Sequence, residues 1–264
     1  MGTTTLHTRD RIVSLAPSVT SILLELGAGR ELVGVSKWCK DVADVGRRAQ
    51  VGDCWKMDIE EVMRLKPTIL VGSVPFAPDT VAKLLTQPVT FVAINPRSLV
   101  DIQRDIRVLG RMVNRAANAE KLIRRMGHAF EAVVKAARTK SAGKRPRVYC
   151  EAWPKPRISS PPWVAELVEI AGGKIVVKPG QRVTDEEVAA AKPDIIVLAW
   201  AATGNKAKPA SALRNPAWQN VPAVKDRRVF VVRDELLNTP GPPLMKGAAE
   251  LLRIIQAAGA KGSE

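Results

Sequence analysis

Apolar residues follow one rhythm along most of this chain. Short, nearly unbroken apolar runs alternate with longer stretches in which apolar residues recur every three or four positions. "RIVSLAPSVTSILLELGAG" predicts a buried strand over Ile12–Leu15, a turn containing Pro17, and a helix ended by Gly27 or Gly29. "LVGVS" predicts a second strand, and "KWCKDVADVGRRAQVGDCWKM" a loop. A helix over Ile59–Leu65 stops before Pro67, followed by a strand in "TILVGS", a helix over Asp79–Leu85 and a strand in "VTFVAI". Wholly apolar strands alternating with helices predict a parallel sheet covered on both faces.

The rhythm breaks over residues 99–140, where "LVDIQRDIRVLGRMV" and "AANAEKLIRRMGHAFEAVVKAAR" keep helical spacing with no strand signal. Leu122, Met126, Phe130 (or Ala129) and Val133 fall on one stripe, which predicts a long helix leaving a first lobe for a second. After the basic run "RTKSAGKRPR" the alternation resumes. Strands are predicted in "RVYCEA", "KIVV", "DIIVLAW" and "VFVV", and helices in "WVAELVEIAGG", "EEVAAA" and "PLMKGAAELLRIIQAAG".

Two stretches are nearly the same text: "DIEEVMRLKPTILV" at 58–71 and "TDEEVAAAKPDIIV" at 184–197. The offset is constant across the pair, so Glu60 matches Glu186, Glu61 matches Glu187 and Pro67 matches Pro193. "LLELGAG" and "LVEIAGG" echo each other more loosely. Two copies are too few for a solenoid. The expected architecture is therefore α/β: two parallel-sheet lobes of similar plan joined by one long helix. The boundaries are 1–98 for the N-terminal lobe, 99–145 for the connecting helical segment and 146–264 for the C-terminal lobe.

Each copy opens a helix with a cap residue, Asp58 or Thr184, and a glutamate three positions on, Glu61 or Glu187. That spacing predicts a capping box. Glu60 and Glu186 have no such task. Spacing alone leaves them as solvated charges favoured by the helix dipole, or as paired carboxylates offered to a basic partner.

Length and composition fit a globular protein of 264 residues with 46% hydrophobic content. The balance of 41 Lys+Arg against 26 Asp+Glu, a formal +15, suits nucleic acid, an anionic surface or solubility without choosing among them. The basic residues scatter over both lobes and the linker instead of lining a groove with aromatics, which argues against nucleic-acid binding. No apolar run is long enough to span a membrane. The N-terminus lacks the basic-then-apolar build of a secretory signal, which leaves a processed extracytoplasmic form or a cytoplasmic protein as alternatives. Cys39 and Cys54 lie at opposite ends of one loop and Cys150 stands apart; free thiols and a Cys39–Cys54 bridge both remain open.

Catalytic chemistry finds little support. The two histidines, His7 and His128, do not make a metal site or a catalytic triad. Walker A, dinucleotide-fingerprint and nucleophile-elbow motifs are lacking, so no catalytic residue, metal ligand or intrinsic cofactor is assigned. Aromatic placement is more informative. The six tryptophans fall outside the first strands and the main helix interiors. Trp38, Trp153 and Trp200 follow strands, where open α/β sheets bind ligands, and Trp55 closes the loop that Trp38 opens. Trp163 and Trp218 are assigned to pinning loops.

At this level of detail "RIVSLAPSVTSILLELGAGRELVGVS", "VGDCWKMDIEEVMRLKPTILVGS" and "PRVYCEAWPKPRISSPPWVAELVEIAGG" resemble the helical-backbone substrate-binding proteins of ABC importers, from about Arg11 to Gln256. Those proteins take up cobalamin, iron–siderophore complexes and haem. "NTPGPPLMKGAAELL" is similar to the cobalamin-binding branch. The resemblance implies a ligand cleft between the lobes, no enzymatic activity, and a monomer peripheral to the membrane and outside the cytoplasm. It also implies docking to a permease, and through it to an ATPase, by Glu60 and Glu186. The transported ligand would be cobalamin or a related metal chelate. Ligand contacts implied by position in the family are Trp38, Trp55, Trp153 and Asp234; Phe76 and Trp200 are added by location. The alternatives are an iron–siderophore or haem carrier of the same fold, or a cytoplasmic ligand sensor without a transporter. "PSVTS", "GPP" and the loop after Cys39 depart from the family's common pattern, and these departures bear on ligand identity.

Overall fold

The computed structural model describes residues 10–140, 145–204 and 206–260. His7 and the middle of the basic run at 138–147 lie outside the described residues. The chain divides into two compact units: everything up to Asn95 with Arg104–Leu122, and Pro96–Gln103 with the chain from Ile123 onward.

The first unit contains β1 (Ile12–Ser14), α1 (Pro17–Glu25), β2 (Leu32–Ser36), β3 (Ala49–Val51), α2 (Ile59–Arg64), β4 (Ile69–Ser73), α3 (Pro78–Leu85) and β5 (Thr90–Ile94). Its five strands are all parallel, in the order β3-β2-β1-β4-β5. The chain therefore builds outward from β1 on one side and returns to β4 on the other. That reversal puts a topological switch between β1 and β4. Val13, Leu15, Val51, Val62, Leu70 and Leu84 form a buried core to which the half-buried Phe76 and Phe91 are added.

Two helices follow, α4 (Leu99–Met112) and α5 (Ala116–Lys140). Asn114, in the left-handed region at φ 55°, turns the chain between them. A Cβ on Gly110 would sit 2.5 Å from Ala119 Cβ, so only glycine lets the helices approach this closely. The stripe Leu122, Met126, Phe130 and Val133 is buried as its spacing predicts.

The second unit holds β6 (Arg147–Pro154), β7 (Arg157–Ser159), α6 (Pro162–Ile170), β8 (Lys174–Ile175), α7 (Asp185–Ala190), β9 (Ile195–Leu198), α8 (Ala210–Leu213), α9 (Pro222–Lys225), β10 (Val229–Val231), α10 (Glu235–Asn238) and α11 (Leu244–Ala260). The sheet order is β10-β9-β6-β7, with β8 beside the start of β6. β6, β8, β9 and β10 are parallel. The switch lies between β6 and β9. The two-lobe α/β plan inferred from the repeat is thus observed, with two differences. "AQV" is a strand inside the segment expected to be loop, and β7 runs antiparallel to β6 as a hairpin at the sheet edge.

The repeated text has a structural counterpart. In both copies the helix ends with a lysine in the left-handed region, Lys66 (φ 49°) and Lys192 (φ 42°), followed by proline. Arg11 donates to Leu65 O and Lys66 O at the end of α2. Arg147 donates to Ala191 O at the end of α7. A guanidinium at the start of each lobe's first strand thereby satisfies carbonyls that a helix end leaves open. The N-termini differ. Thr184 and Glu187 make the full reciprocal box, whereas Asp58 accepts from the Glu60 and Glu61 N–H groups and no return bond from Glu61 is among the described hydrogen bonds.

Candidate functional site

Parallel strands place all their carboxyl ends on one edge of a sheet, and the expected ligand residues gather there in each lobe. In the first lobe Trp38 follows β2, Trp55 follows β3 and Phe76 follows β4. Asp53 organises this edge. One carboxylate oxygen accepts the Trp38 indole N–H at 2.7 Å, and the other accepts the backbone N–H groups of Trp55 and Lys56 at 3.0 and 2.8 Å. Trp38 is half-buried with Lys37 Nζ 4.8 Å from its ring centroid, while Trp55 is 63% exposed. Phe76 meets Phe91 edge to face at 6.3 Å and packs on the core, so one side of its ring is already occupied.

The loop carrying Trp38 is braced from below. Thr20 Oγ1 lies 2.7 Å from Ser14 Oγ and 3.0 Å from Cys39 Sγ, and Ser36 Oγ lies 3.2 Å from the same sulfur. Cys39, Cys54 and Cys150 are free and buried. Burial pushes the Cys39 thiol up and those of Cys54 and Cys150 up to about 12.

In the second lobe Trp153 and Trp200 mark the carboxyl ends of the two strands that flank the switch. Trp153 sits at the end of β6 itself, not in a loop, is 38% exposed, and donates its indole N–H to Lys155 O at 2.9 Å. Trp200 rests on the core and donates its indole N–H to Glu151 Oε1 at 2.8 Å. Asp234, after β10, accepts the backbone N–H groups of Ala202 and Gly204 at 3.0 and 2.9 Å, holding the loop after Trp200 in its left-handed turns. Burial raises the Asp234 carboxyl, and these two donors pull it back down. Both its oxygens are engaged within the lobe.

Trp163 and Trp218 are buried, donating their indole N–H groups to Leu237 O and Asp185 O. Glu60 and Glu186 are exposed on α2 and α7. His128 is exposed on α5, and among the described residues no group of three or more His, Cys, Asp or Glu side chains could hold a metal. The sequence reading missed Asp53 and Glu151. Glu151 had a visible signal: a lone acid inside the apolar run "RVYCEA", 1% exposed in the fold.

A family model described as periplasmic binding protein matches residues 12–236. The chain belongs to that family. Its members are substrate-binding proteins, not enzymes. An uncharacterized ABC transporter substrate-binding lipoprotein, YvrC of Bacillus subtilis, is 28% identical over 255 residues, 93% of this chain and 79% of the relative. The vitamin B12-binding protein of Vibrio cholerae is 26% identical, covering 94% of this chain and 90% of its own. Among solved structures, the periplasmic heme-binding protein RhuT from Roseiflexus sp. RS-1 superposes with a TM-score of 0.81 at 22% identity, over 94% of this chain and 98% of that one, a likeness of fold.

Proposed function

We propose that this substrate-binding protein captures a corrinoid, cobalamin foremost, outside the cytoplasm and passes it to an ABC permease. The observation that carries this reading is the pair of exposed tryptophans, Trp55 and Trp153, each at the carboxyl edge of its own lobe's sheet. Large exposed aromatics at such an edge are costly to leave in water and suit a broad, partly apolar ligand. The relatives named for vitamin B12 binding support the corrinoid over other macrocycles. Trp38, Phe76 and Trp200 are assigned as the flanking surfaces, and Asp234 as the acid that fixes the loop beside Trp200. Glu60 and Glu186, exposed at matching places on two matching helices, are assigned to docking on the permease. No helix among the described residues is long and apolar enough to cross a membrane.

Titration with cyanocobalamin, dicyanocobinamide, hemin and a ferric siderophore, read by tryptophan fluorescence, tests this. Quenching by the corrinoids, reduced in Trp55→Phe and Trp153→Phe, is expected. A saturable response to hemin alone would move the protein to haem carriage. Silence with all four beside a tight response to free Zn²⁺ would overturn the reading.

A further inference from the structure

Three charged groups of the second lobe have no task in ligand capture as described. Glu151 is 1% exposed. Its Oε1 accepts the Trp200 indole N–H, and its Oε2 accepts the Tyr149 hydroxyl at 3.0 Å and Arg157 Nη1. Arg157 continues the line, donating from Nε and Nη2 to Asp185 Oδ1 at 2.8 and 2.7 Å while its guanidinium lies 4.3 Å from the Trp218 ring centroid. Asp185 is the first residue of α7 and is also held by Asn215 Nδ2 at 2.9 Å and, at its carbonyl, by Trp218 Nε1. The next residue is Glu186.

A chain of direct contacts thus runs from Trp200, at the carboxyl edge of the sheet, to the first turn of α7. A buried ion pair is weak grounds for stability, because apolar packing fills such a space as well. What the polar chain supplies instead is direction, since each donor fixes the angle of the group it serves. Arg157 is suited to this, because its planar fork addresses two carboxylates at once.

We propose that Glu151 and Arg157 are positioning residues that tie the setting of the Trp200 ring to the presentation of Glu186 on α7. The proposal rests on Trp200 facing ligand and Glu186 facing the permease. A ligand that shifts the Trp200 ring would change the pull on Glu151, and Arg157 would pass that change to Asp185. By linkage, whatever docking does to α7 returns to ligand affinity by the same factor.

The test is amide hydrogen exchange on the whole chain. Val188 N–H bonds to Thr184 O in α7, and Val62 N–H bonds to Asp58 O in α2 as the matched reference in the other lobe. Trp200→Phe keeps an aromatic ring but deletes the indole N–H together with part of the ring system; Arg157→Lys keeps the charge and loses the fork. Each is expected to speed exchange at Glu187 and Val188 by about tenfold and to leave Val62 unchanged. Trp163→Phe, which loses a more deeply buried indole N–H off the chain, should leave α7 as in the wild type. Unchanged α7 exchange in both variants, or a uniform acceleration that includes Ile195 and Ile196 of β9, would overturn the proposal. Cyanocobalamin should slow α7 exchange in the wild type and not in Trp200→Phe. If neither cyanocobalamin nor dicyanocobinamide changes fluorescence or exchange, the corrinoid reading fails, while the variants in the free protein still decide the chain.

Discussion

Replacing Arg157 by methionine removes the cation from the Glu151 network while keeping most of its volume. Glu151 is then a carboxylate with 1% exposure and two neutral donors, Tyr149 and Trp200. Breaking a buried pair from one side costs about 3–5 kcal/mol. Loss of the Asp185 contact adds less than about 1 kcal/mol, because that carboxylate is 39% exposed and solvent screens it. The cost must depend on pH. In the wild type, burial raises the Glu151 carboxyl, and Arg157, Trp200 and Tyr149 pull it back. Without Arg157 it rises further.

A carboxyl raised in the folded state contributes stability that is present below its unfolded value and is lost as pH rises through its folded value. The deficit of Arg157→Met relative to wild type should therefore be about 4 kcal/mol at pH 8 and smaller at pH 5. Adding Glu151→Gln removes the stranded charge, so the double variant should be more stable than Arg157→Met alone at pH 8. Urea unfolding followed by far-UV circular dichroism at the two pH values measures all three proteins. A pH-independent deficit below about 1 kcal/mol, or a double variant less stable than the single, would refute the reasoning.

Glu60→Arg combined with Glu186→Arg should cost no more than about 1 kcal/mol per site, leave corrinoid binding intact and abolish co-purification with the cognate permease. Glu187→Ala supplies the control: it removes the reciprocal cap bond and lowers stability by about 1 kcal/mol without touching docking, whereas Glu61→Ala costs only a few tenths. Thiol titration of native protein at pH 8 should be about a thousandfold slower than for an exposed cysteine, given burial of all three sulfurs. Denatured, unreduced protein should then release three thiols; a lower count would put a bridge where the fold has separate sulfurs.

Much of the architecture was legible because apolar periodicity and burial are the same fact seen twice. The stripe on α5 and the apolar runs of β4 and β9 are examples. The repeat announced two lobes, and its physical content reaches further than the matched text, to Arg11 and Arg147 at the starts of β1 and β6. Those arginines look like ordinary surface charge in sequence, since what they bond lies more than forty residues away. β3 was missed because Ala49-Gln50-Val51 carries one large apolar side chain, too little for a periodicity signal. β7 was missed because Pro156 precedes it, and proline there marks an edge strand or a turn with equal ease.

The tryptophans show where sequence reading stops. In sequence they form one class, large rings near loops, and the fold separates them by exposure and by what each indole N–H meets. Trp163 and Trp218 are buried and bonded to backbone carbonyls, so their rings belong to the core. Trp38 and Trp200 bond to carboxylates, and a carboxylate has other partners, so these rings are set by groups that lie beyond them: Asp53 with the Trp55 and Lys56 backbone, Glu151 with Arg157. Trp55 and Trp153 keep exposed faces. Ligand chemistry needs both kinds, exposed rings to make contact and anchored rings to fix the angle at which contact is made. Spacing along a chain records neither exposure nor angle. The acids that separate the classes, Asp53 in the first lobe and Glu151 in the second, are therefore the residues through which the ring geometry of each lobe is best perturbed.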